Sequence, residues 1–139
     1  MISTDPSQGP GPVSDVITDH VRVEAIARHT RENSLPNQGK WMFQYTIRIT
    51  NQGTETVQLI SRHWIICDAL ERIEEVKGQG VVGVQPTLAP GESFKYSSWC
   101  PLETPTGVMR GTYHMVRADG TGLDIEIAPF ALRAAYTVH

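Results

Sequence analysis

Five bulky apolar side chains at a strict spacing of two residues between positions 41 and 49 are the feature that most constrains how this chain can fold. Successive side chains of a β-strand point to opposite faces, so this spacing predicts a strand with one buried face. The apolar face would carry Trp41, Phe43, Tyr45, Ile47 and Ile49, and the polar face Gln44, Thr46, Arg48 and Thr50.

Other short runs also have strand character. Residues 21–31 alternate in the same way, whereas residues 56–67 carry apolar side chains on both faces, as a central strand does. Residues 118–122 (ADGTG) predict a tight hairpin with Asp119-Gly120 at its tip. The remaining candidate strands cover residues 72–77, 81–85, 92–98, 107–117, 122–127 and 130–136.

One segment, residues 68–77 (DALERIEEVK), fits two types of secondary structure. Leu70, Ile73 and Val76 recur at a spacing that suits a helix, but the end of the segment also suits a strand that enters the following glycines. We favour the strand. Eight or nine short strands then predict an all-β sandwich or barrel, and the chain length fits two packed sheets well.

Composition agrees with one turn-rich domain. The chain has 139 residues, of which 40% are hydrophobic, and it contains 12 Gly and 9 Pro, which helices tolerate poorly. Residues 5–15 are rich in Pro, Gly and Ser and almost free of apolar side chains, so they cannot offset the entropy cost of ordering. We therefore expect a flexible tail over residues 1–15 and a domain over residues 16–139.

Charge and cysteine content narrow the class of protein. A net charge of −3 argues against a nucleic-acid binder that relies on phosphate neutralisation. No apolar run is long enough to span a membrane, and the first residues lack the basic and apolar regions of a secretory signal. We therefore expect a cytoplasmic protein in which Cys67 and Cys100 stay reduced, although a disulfide between two sheets remains an alternative.

A G-x-G-x-x-G pattern occurs at Gly78, Gly80 and Gly83. In dinucleotide-binding folds a helix follows this pattern, because the helix N-terminus holds the pyrophosphate. Here two prolines fall within the next eight residues, so the helix is not expected. The favoured interpretation is a bulge or tight turn where backbone passes closely, and the alternative is an anion-binding or nucleotide-binding loop beside Lys77.

The sequence offers no clear set of catalytic or metal-binding residues. His63 and Cys67 would lie roughly 13 Å apart on one strand, too far to share a metal ion, and Ser61 and His63 roughly 7 Å apart, too far for proton transfer. An acidic cluster is more typical of a solvated strand edge than of a cation site. Its members are Asp68, Glu71, Glu74 and Glu75. We expect neither metal, cofactor nor catalytic residues, and hence no enzyme.

Trp99 is the one aromatic residue that we single out as a candidate partner contact. It lies between Ser98 and Cys100-Pro101 at the predicted end of a strand, where an exposed ring can form part of an interface. Packing in the core or at its rim is the alternative for this residue, as it is for Trp41 and Trp64.

Several ordered blocks of the sequence together resemble the ApaG family. The resemblance extends from about residue 21 to residue 134, nearly the whole predicted domain. The blocks are residues 61–66 (SRHWII), 78–86 (GQGVVGVQP), 88–98 (LAPGESFKYSS), 101–113 (PLETPTGVMRGTY) and 127–130 (IAPF).

The resemblance implies a fibronectin-type-III-like β-sandwich of about eight strands. Bacterial members of the family are small cytoplasmic proteins linked to cobalt and magnesium tolerance and encoded beside a diadenosine-tetraphosphate hydrolase. Related domains in eukaryotic F-box and polymerase-interacting proteins imply a protein-binding module. The family has no established catalytic residues, so none is assigned to this chain.

Three positions depart from the family pattern. The family tends to have Thr at the position of Cys67, a glycine-containing turn at residues 69–71, and Gly at the position of Trp99.

The residues and the resemblance together lead to two hypotheses about function. The first is a non-enzymatic interaction module that acts through protein partners. The second is a binding protein for a pyrophosphate-containing nucleotide or a divalent ion, which would use the loop at residues 78–83.

Overall fold

In the computed structural model, which describes residues 14–134, nine strands form two antiparallel sheets packed as a sandwich. One sheet has the order β1-β2-β3-β7, and the other has the order β5-β4-β8-β9 with β6 paired to β4. The strands are β1 (Ser14–Thr18), β2 (Val21–His29), β3 (Trp41–Asn51), β4 (Val57–Asp68), β5 (Ile73–Gln79), β6 (Thr87–Leu88), β7 (Ser93–Leu102), β8 (Thr106–Arg117) and β9 (Gly122–Arg133).

The chain crosses from one sheet to the other three times, after β3, after β6 and after β7. This arrangement confirms the antiparallel sandwich of the immunoglobulin and fibronectin-III type. On one side of the sandwich β1 and β2 pack against β9. On the opposite side β5 and β7 are the edge strands of their sheets, and each pairs with only one neighbour. The sandwich is therefore closed on the β9 side and more open on the β5 side.

As predicted from its alternation, β3 buries one of its two faces. Phe43, Tyr45, Ile47 and Ile49 are buried, and the polar residues between them lie on the outer face. Tyr45 contacts the ring of Trp64, which comes from the other sheet, at a centroid distance of 5.3 Å. Burial of these side chains from both inner faces supplies the main driving force for the sandwich. Aromatic rings in this cluster are Tyr45, Trp64, Tyr96, Tyr113 and Phe130.

Two strand boundaries differ from the prediction at the chain ends. Ser14 and Asp15, which we assigned to the tail, belong to β1, because this short strand pairs with β2 and Asp15 forms an ion pair of 2.6 Å with Arg22. The rest of the predicted tail, residues 1–13, lies outside the described residues. A single strand, β9, covers most of the two separate strands predicted at residues 122–127 and 130–136, and its predicted end also lies outside the described residues.

Between these ends, most of the predicted elements are confirmed. The favoured strand within residues 68–77 is present as β5, after a turn at residues 69–70. The hairpin at Asp119-Gly120 joins β8 to β9. The strand predicted at residues 81–85 is wrong, because those residues form a tight turn instead.

Neither helices nor disulfides hold the described part of the chain together. The helical elements of residues 14–134 are two 3-10 turns, Arg31–Asn33 and Pro36–Gln38, and no helix there is long and apolar enough to cross a membrane. Cys67 is half-buried and Cys100 is buried, and both are free thiols, as predicted.

Candidate functional site

A groove of about 500 Å³ lies between the edge strands β5 and β7 on the open side of the sandwich. Val76 and Gln79 of β5 form one wall, and Ser98 and Trp99 of β7 form the other. Buried rings from both sheets form the floor. These rings are Tyr45, Trp64 and Tyr96.

A β-bulge in β4 places a charged side chain in this groove. The pairing of β4 with β8 shifts between Leu59 and Ser61. Before the bulge Val57 and Leu59 point into the sandwich, whereas after it the even-numbered residues do, including the buried Trp64. An extra residue reverses which face each later side chain occupies. Arg62 therefore points inward and lines the groove.

Arg62 is held against the chain that leaves β5. Its Nη1 donates hydrogen bonds to the carbonyl oxygens of Gln79, at 3.0 Å, and Gly80, at 2.9 Å. Gly78 lies directly opposite Arg62 in the strand pair, and a Cβ there would fall 2.7 Å from Nη2. The missing side chain of Gly78 thus leaves room for the guanidinium.

The other two glycines of the pattern serve a tight turn. Val81 and Val84 exchange backbone hydrogen bonds of 2.8 and 3.0 Å. The residues between them, Val82 and Gly83, have φ angles of 43° and 84°, as a type I′ turn requires. Gly80 has a φ of 63°, and a Cβ at that position would lie 2.3 Å from the carbonyl oxygen of Val84. The favoured interpretation of the pattern, a tight turn with close backbone contact, agrees with this geometry.

Few backbone N–H groups of this turn are free to bind an anion. The N–H of Gly80 donates to the carbonyl of Ile60 at 2.8 Å, and those of Val81 and Val84 bond to each other's carbonyls. No helix follows the turn, because the next element is the two-residue strand β6. The arrangement differs from the dinucleotide-binding turn, in which a helix N-terminus faces the pyrophosphate.

Trp99 lies on the same groove as the glycine turn. It is 49% exposed and lines the groove together with Val82 and Gly83. The prediction that it stands at a strand end is wrong, because β7 continues to Leu102. The fold thus brings the glycine turn and Trp99, which are separate in the sequence, to one groove.

The tyrosine hydroxyls and the Cys100 thiol between the two sheets are buried in their neutral forms. Burial raises the pKa of the Tyr45, Tyr96 and Tyr113 hydroxyls, and those of Tyr96 and Tyr113 are hydrogen-bonded to each other. Burial, and secondarily the charge of Glu74, raises the pKa of the Cys100 thiol to about 12. A thiol with such a pKa is protonated at neutral pH and is a poor nucleophile.

A second cavity, of about 530 Å³, adjoins the first and continues between the same two strands. The two cavities share Ile66, Glu74 and Pro101 in their linings. Arg72 and Asp68, which form an ion pair of 2.7 Å, line the far end. We refer to both cavities together as the β5/β7 groove.

The residues considered as metal ligands do not lie on one face of the β4 sheet. His63 hydrogen-bonds Glu75 at 2.7 Å, and His114 hydrogen-bonds Asp124 at 3.1 Å. Asp68 and Glu74 line the groove, so the acidic cluster is divided between two faces. Within residues 14–134 no group of three or more His, Cys, Asp or Glu side chains is arranged to hold a metal ion.

Sequence reasoning did not identify Arg62, Tyr45 or Tyr96 as site residues. The signal that was available is the loss of alternation within residues 56–67, which the bulge explains. When the apolar positions of a strand change from odd-numbered to even-numbered residues, the strand contains an extra residue at a bulge. A polar side chain after the bulge can then point inward.

Comparison with known proteins gives a consistent set of relatives. A family model described as the ApaG domain matches residues 31–117. A protein named ApaG from Bordetella pertussis is 53% identical over 84% of this chain and 89% of its own length. An ApaG protein of Anaeromyxobacter dehalogenans is 51% identical over 86% of this chain and 94% of its own length.

A solved structure agrees with these sequence matches. The crystal structure of a Bordetella pertussis protein described as ApaA superposes with a TM-score of 0.81 at 52% identity. The match covers 84% of this chain and 95% of that one.

Proposed function

The chain belongs to the ApaG family, and from this premise we propose that it is a non-enzymatic interaction module that binds protein partners through the β5/β7 groove. The module works in the cytoplasm and supports tolerance of cobalt and magnesium through those partners.

The observation that carries this proposal is the exposed Trp99 at the rim of a groove whose floor is formed by buried aromatic rings. Tryptophan is enriched among the residues that dominate binding energy at protein interfaces. Val82, across the groove mouth, is also exposed, at 55%. Protein partners bury such neighbouring apolar side chains readily, and the gain is about 25 cal/mol per Å² of apolar surface.

Capture of partners with a matched pair of variants tests the proposal. Tagged protein and its Trp99→Ala and Ile17→Ala variants are incubated with lysate of the source organism. Ile17 is a fitting control, because it is 57% exposed but lies on β1, away from the groove. We expect the same partner with the parent chain and Ile17→Ala, and its loss with Trp99→Ala. Failure to recover any specific partner, together with turnover of nucleotides or phosphate esters, would contradict the proposal.

Ligand binding by the glycine turn is the competing function. Val82 and Gly83 are at the groove rim, where their N–H groups have no backbone partner among the described residues. Amide NMR shifts during titration with ATP, a dinucleotide, Mg²⁺ and Co²⁺ distinguish the two functions. We expect no saturable shifts in the turn up to millimolar ligand. Saturable shifts confined to residues 78–84 would favour the nucleotide or ion instead.

A further inference from the structure

We propose that the β5/β7 groove binds an extended acidic segment of the partner protein, with one carboxylate of that segment on the guanidinium of Arg62. This inference rests on the proposed partner-binding function and adds the chemistry of the partner. The ligand class follows from charge, from the shape of the groove and from the exposed strand edge.

Arg62 is a cation without a carboxylate partner within the described residues. Within residues 14–134, none of the ion pairs at or below 4.0 Å includes Arg62, whose two hydrogen bonds from Nη1 go to neutral carbonyls. A guanidinium has five N–H donors in a planar fork, so Nη2 and Nε keep donors for a ligand. The aromatic floor strengthens attraction to an anion there, because it lowers the local dielectric constant. A carboxylate of the bound segment therefore neutralises the half-buried positive charge of Arg62.

Glu74, which lies between the two cavities of the groove, limits where acidic residues of a bound segment can lie. Glu74 lines both cavities and lies four residues along β5 from Gly78, the cross-strand neighbour of Arg62. Four strand residues correspond to roughly 13 Å. An acidic side chain is therefore attracted at the Arg62 end and repelled near Glu74. The bound segment accordingly has its acidic residue at Arg62 and apolar or basic residues beside Glu74.

The edge of β5 offers hydrogen bonds to an extended backbone. The hydrogen bonds from Asp68 N to Arg72 O and from Gly80 N to Ile60 O fix the pattern of this strand pair. The even-numbered residues of β5 direct their backbone N–H and C=O groups toward β4. In an antiparallel ladder the alternate residues then point their N–H and C=O groups away from the partner strand. On β5 these residues are Ile73, Glu75, Lys77 and Gln79, of which Gln79 already accepts a hydrogen bond from Arg62 at its carbonyl oxygen. Addition of a strand at such an edge is a common mode of peptide recognition.

The length of the groove also suits a peptide. Strand β5 has seven residues, which corresponds to roughly 23 Å of extended chain. Exposed apolar side chains occur at both ends of this distance, Val82 and Trp99 near Arg62 and Ile73 at the far end. A segment of about seven residues can thus place apolar side chains at both ends and a carboxylate at Arg62.

Selection from a phage library of random dodecapeptides tests the proposal and does not require that the partner be identified first. The targets are the parent chain and its Arg62→Gln, Trp99→Ala and Arg110→Gln variants. Arg110 is a matched control, because it is exposed on β8 and its replacement by Gln changes the net charge by the same amount as Arg62→Gln.

We expect the selection to enrich peptides with Glu or Asp at one fixed position beside apolar residues. Arg62→Gln weakens binding of a selected peptide by about 30-fold or more, as expected when one member of a desolvated charge pair is removed. Arg110→Gln leaves it unchanged.

Amide NMR shifts locate the bound peptide. We expect them in β5, in the turn at residues 80–84 and in β7. Enrichment of no motif, the same affinity for Arg62→Gln, or shifts on the outer faces would overturn the proposal. Saturable binding of inorganic phosphate or ATP at Arg62, with none of an acidic peptide, would overturn it in favour of a small-anion site. If Arg62→Gln fails to fold, binding of the selected peptide to the Trp99→Ala variant is the test. Loss of that binding supports the groove as the binding site, and unchanged binding overturns the proposal.

These outcomes are separable from failure of the proposed function. A lysate partner whose capture requires Trp99 but survives Arg62→Gln would retain the interaction module and refute the acidic segment. Absence of any partner would refute the module itself.

Discussion

Val82 shows how a single residue can be unfavourable for the fold and still suit a binding surface. It is β-branched, yet it has a φ of 43°, in the left-handed region that L-residues with branched side chains avoid. The following residue, Gly83, adopts a positive φ at no steric cost. Strain of this kind is found at functional sites, and Val82 lines the same groove as Trp99.

Replacement of Val82 by Asn is expected to stabilise the protein. Asn-Gly is the preferred pair for a type I′ turn, so Val82→Asn raises the free energy of unfolding by about 1 kcal/mol. Urea denaturation measures this change. Val84→Asn is the control, because Val84 is exposed in the same turn but has no positive φ. Equal effects of the two variants would show that relief of backbone strain is not the cause. Under the proposed function, Val82→Asn also weakens partner binding.

At the scale of the strand, β4 connects the core to the groove. Its bulge between Leu59 and Ser61 allows the first part of the strand to bury odd-numbered residues and the second part even-numbered ones. On its other side β4 pairs with β8, where a second irregularity falls between Met109 and Gly111 in the pairing of β8 with β9. Gly111 lies against β4, and a Cβ there would fall 2.2 Å from the carbonyl oxygen of His63.

Gly111→Ala tests this close strand contact. Because the clash is with backbone rather than with a flexible side chain, β4 and β8 must move apart, and we expect a loss of about 3 kcal/mol in the free energy of unfolding. Gly120→Ala is the control. Gly120 has a φ of 87° and open space around it, so its replacement costs about 1 kcal/mol of backbone strain alone. Thermal and urea denaturation compare the two. Similar losses for both variants would contradict the predicted clash.

Across the whole molecule, the interior between the sheets holds neutral groups that ionise at high pH. The thiol of Cys100 is buried, and its pKa is about 12 instead of the usual 9.0. In the unfolded chain this thiol loses its proton near pH 9, whereas in the folded protein it keeps the proton until about pH 12. The folded state therefore binds more protons in this interval, and stability falls as pH rises.

We expect the free energy of unfolding to decrease above pH 9, with a contribution from Cys100 that approaches about 1.4 kcal/mol per pH unit. Tyr96 and Tyr113, whose pKa values are raised by burial, add to the decrease at higher pH. Urea denaturation followed by far-UV circular dichroism between pH 7 and 11 measures the slope. Cys100→Ala should reduce this slope near pH 9–10. An unchanged slope in Cys100→Ala would contradict the assignment.

The sequence alone determined the class of fold and much of its detail. Alternation over residues 41–50 specified β3 and its buried face, since the side-chain period of a strand is a local property. Turn chemistry was similarly local, as at Asp119-Gly120. Residues 81–85 were mistaken for a strand, because apolar valines hide the positive φ angles that make the turn.

Only the tertiary structure decided where the candidate site lies. Gly83 and Trp99 are far apart in the chain, and they meet because β5 and β7 occupy corresponding edges of two different sheets. Arg62 faces inward because of one extra residue in β4. The pairing of distant strands and the position of a bulge depend on packing across the whole sandwich, which no local pattern contains. Local periodicity thus determined the strands, and long-range pairing determined the groove.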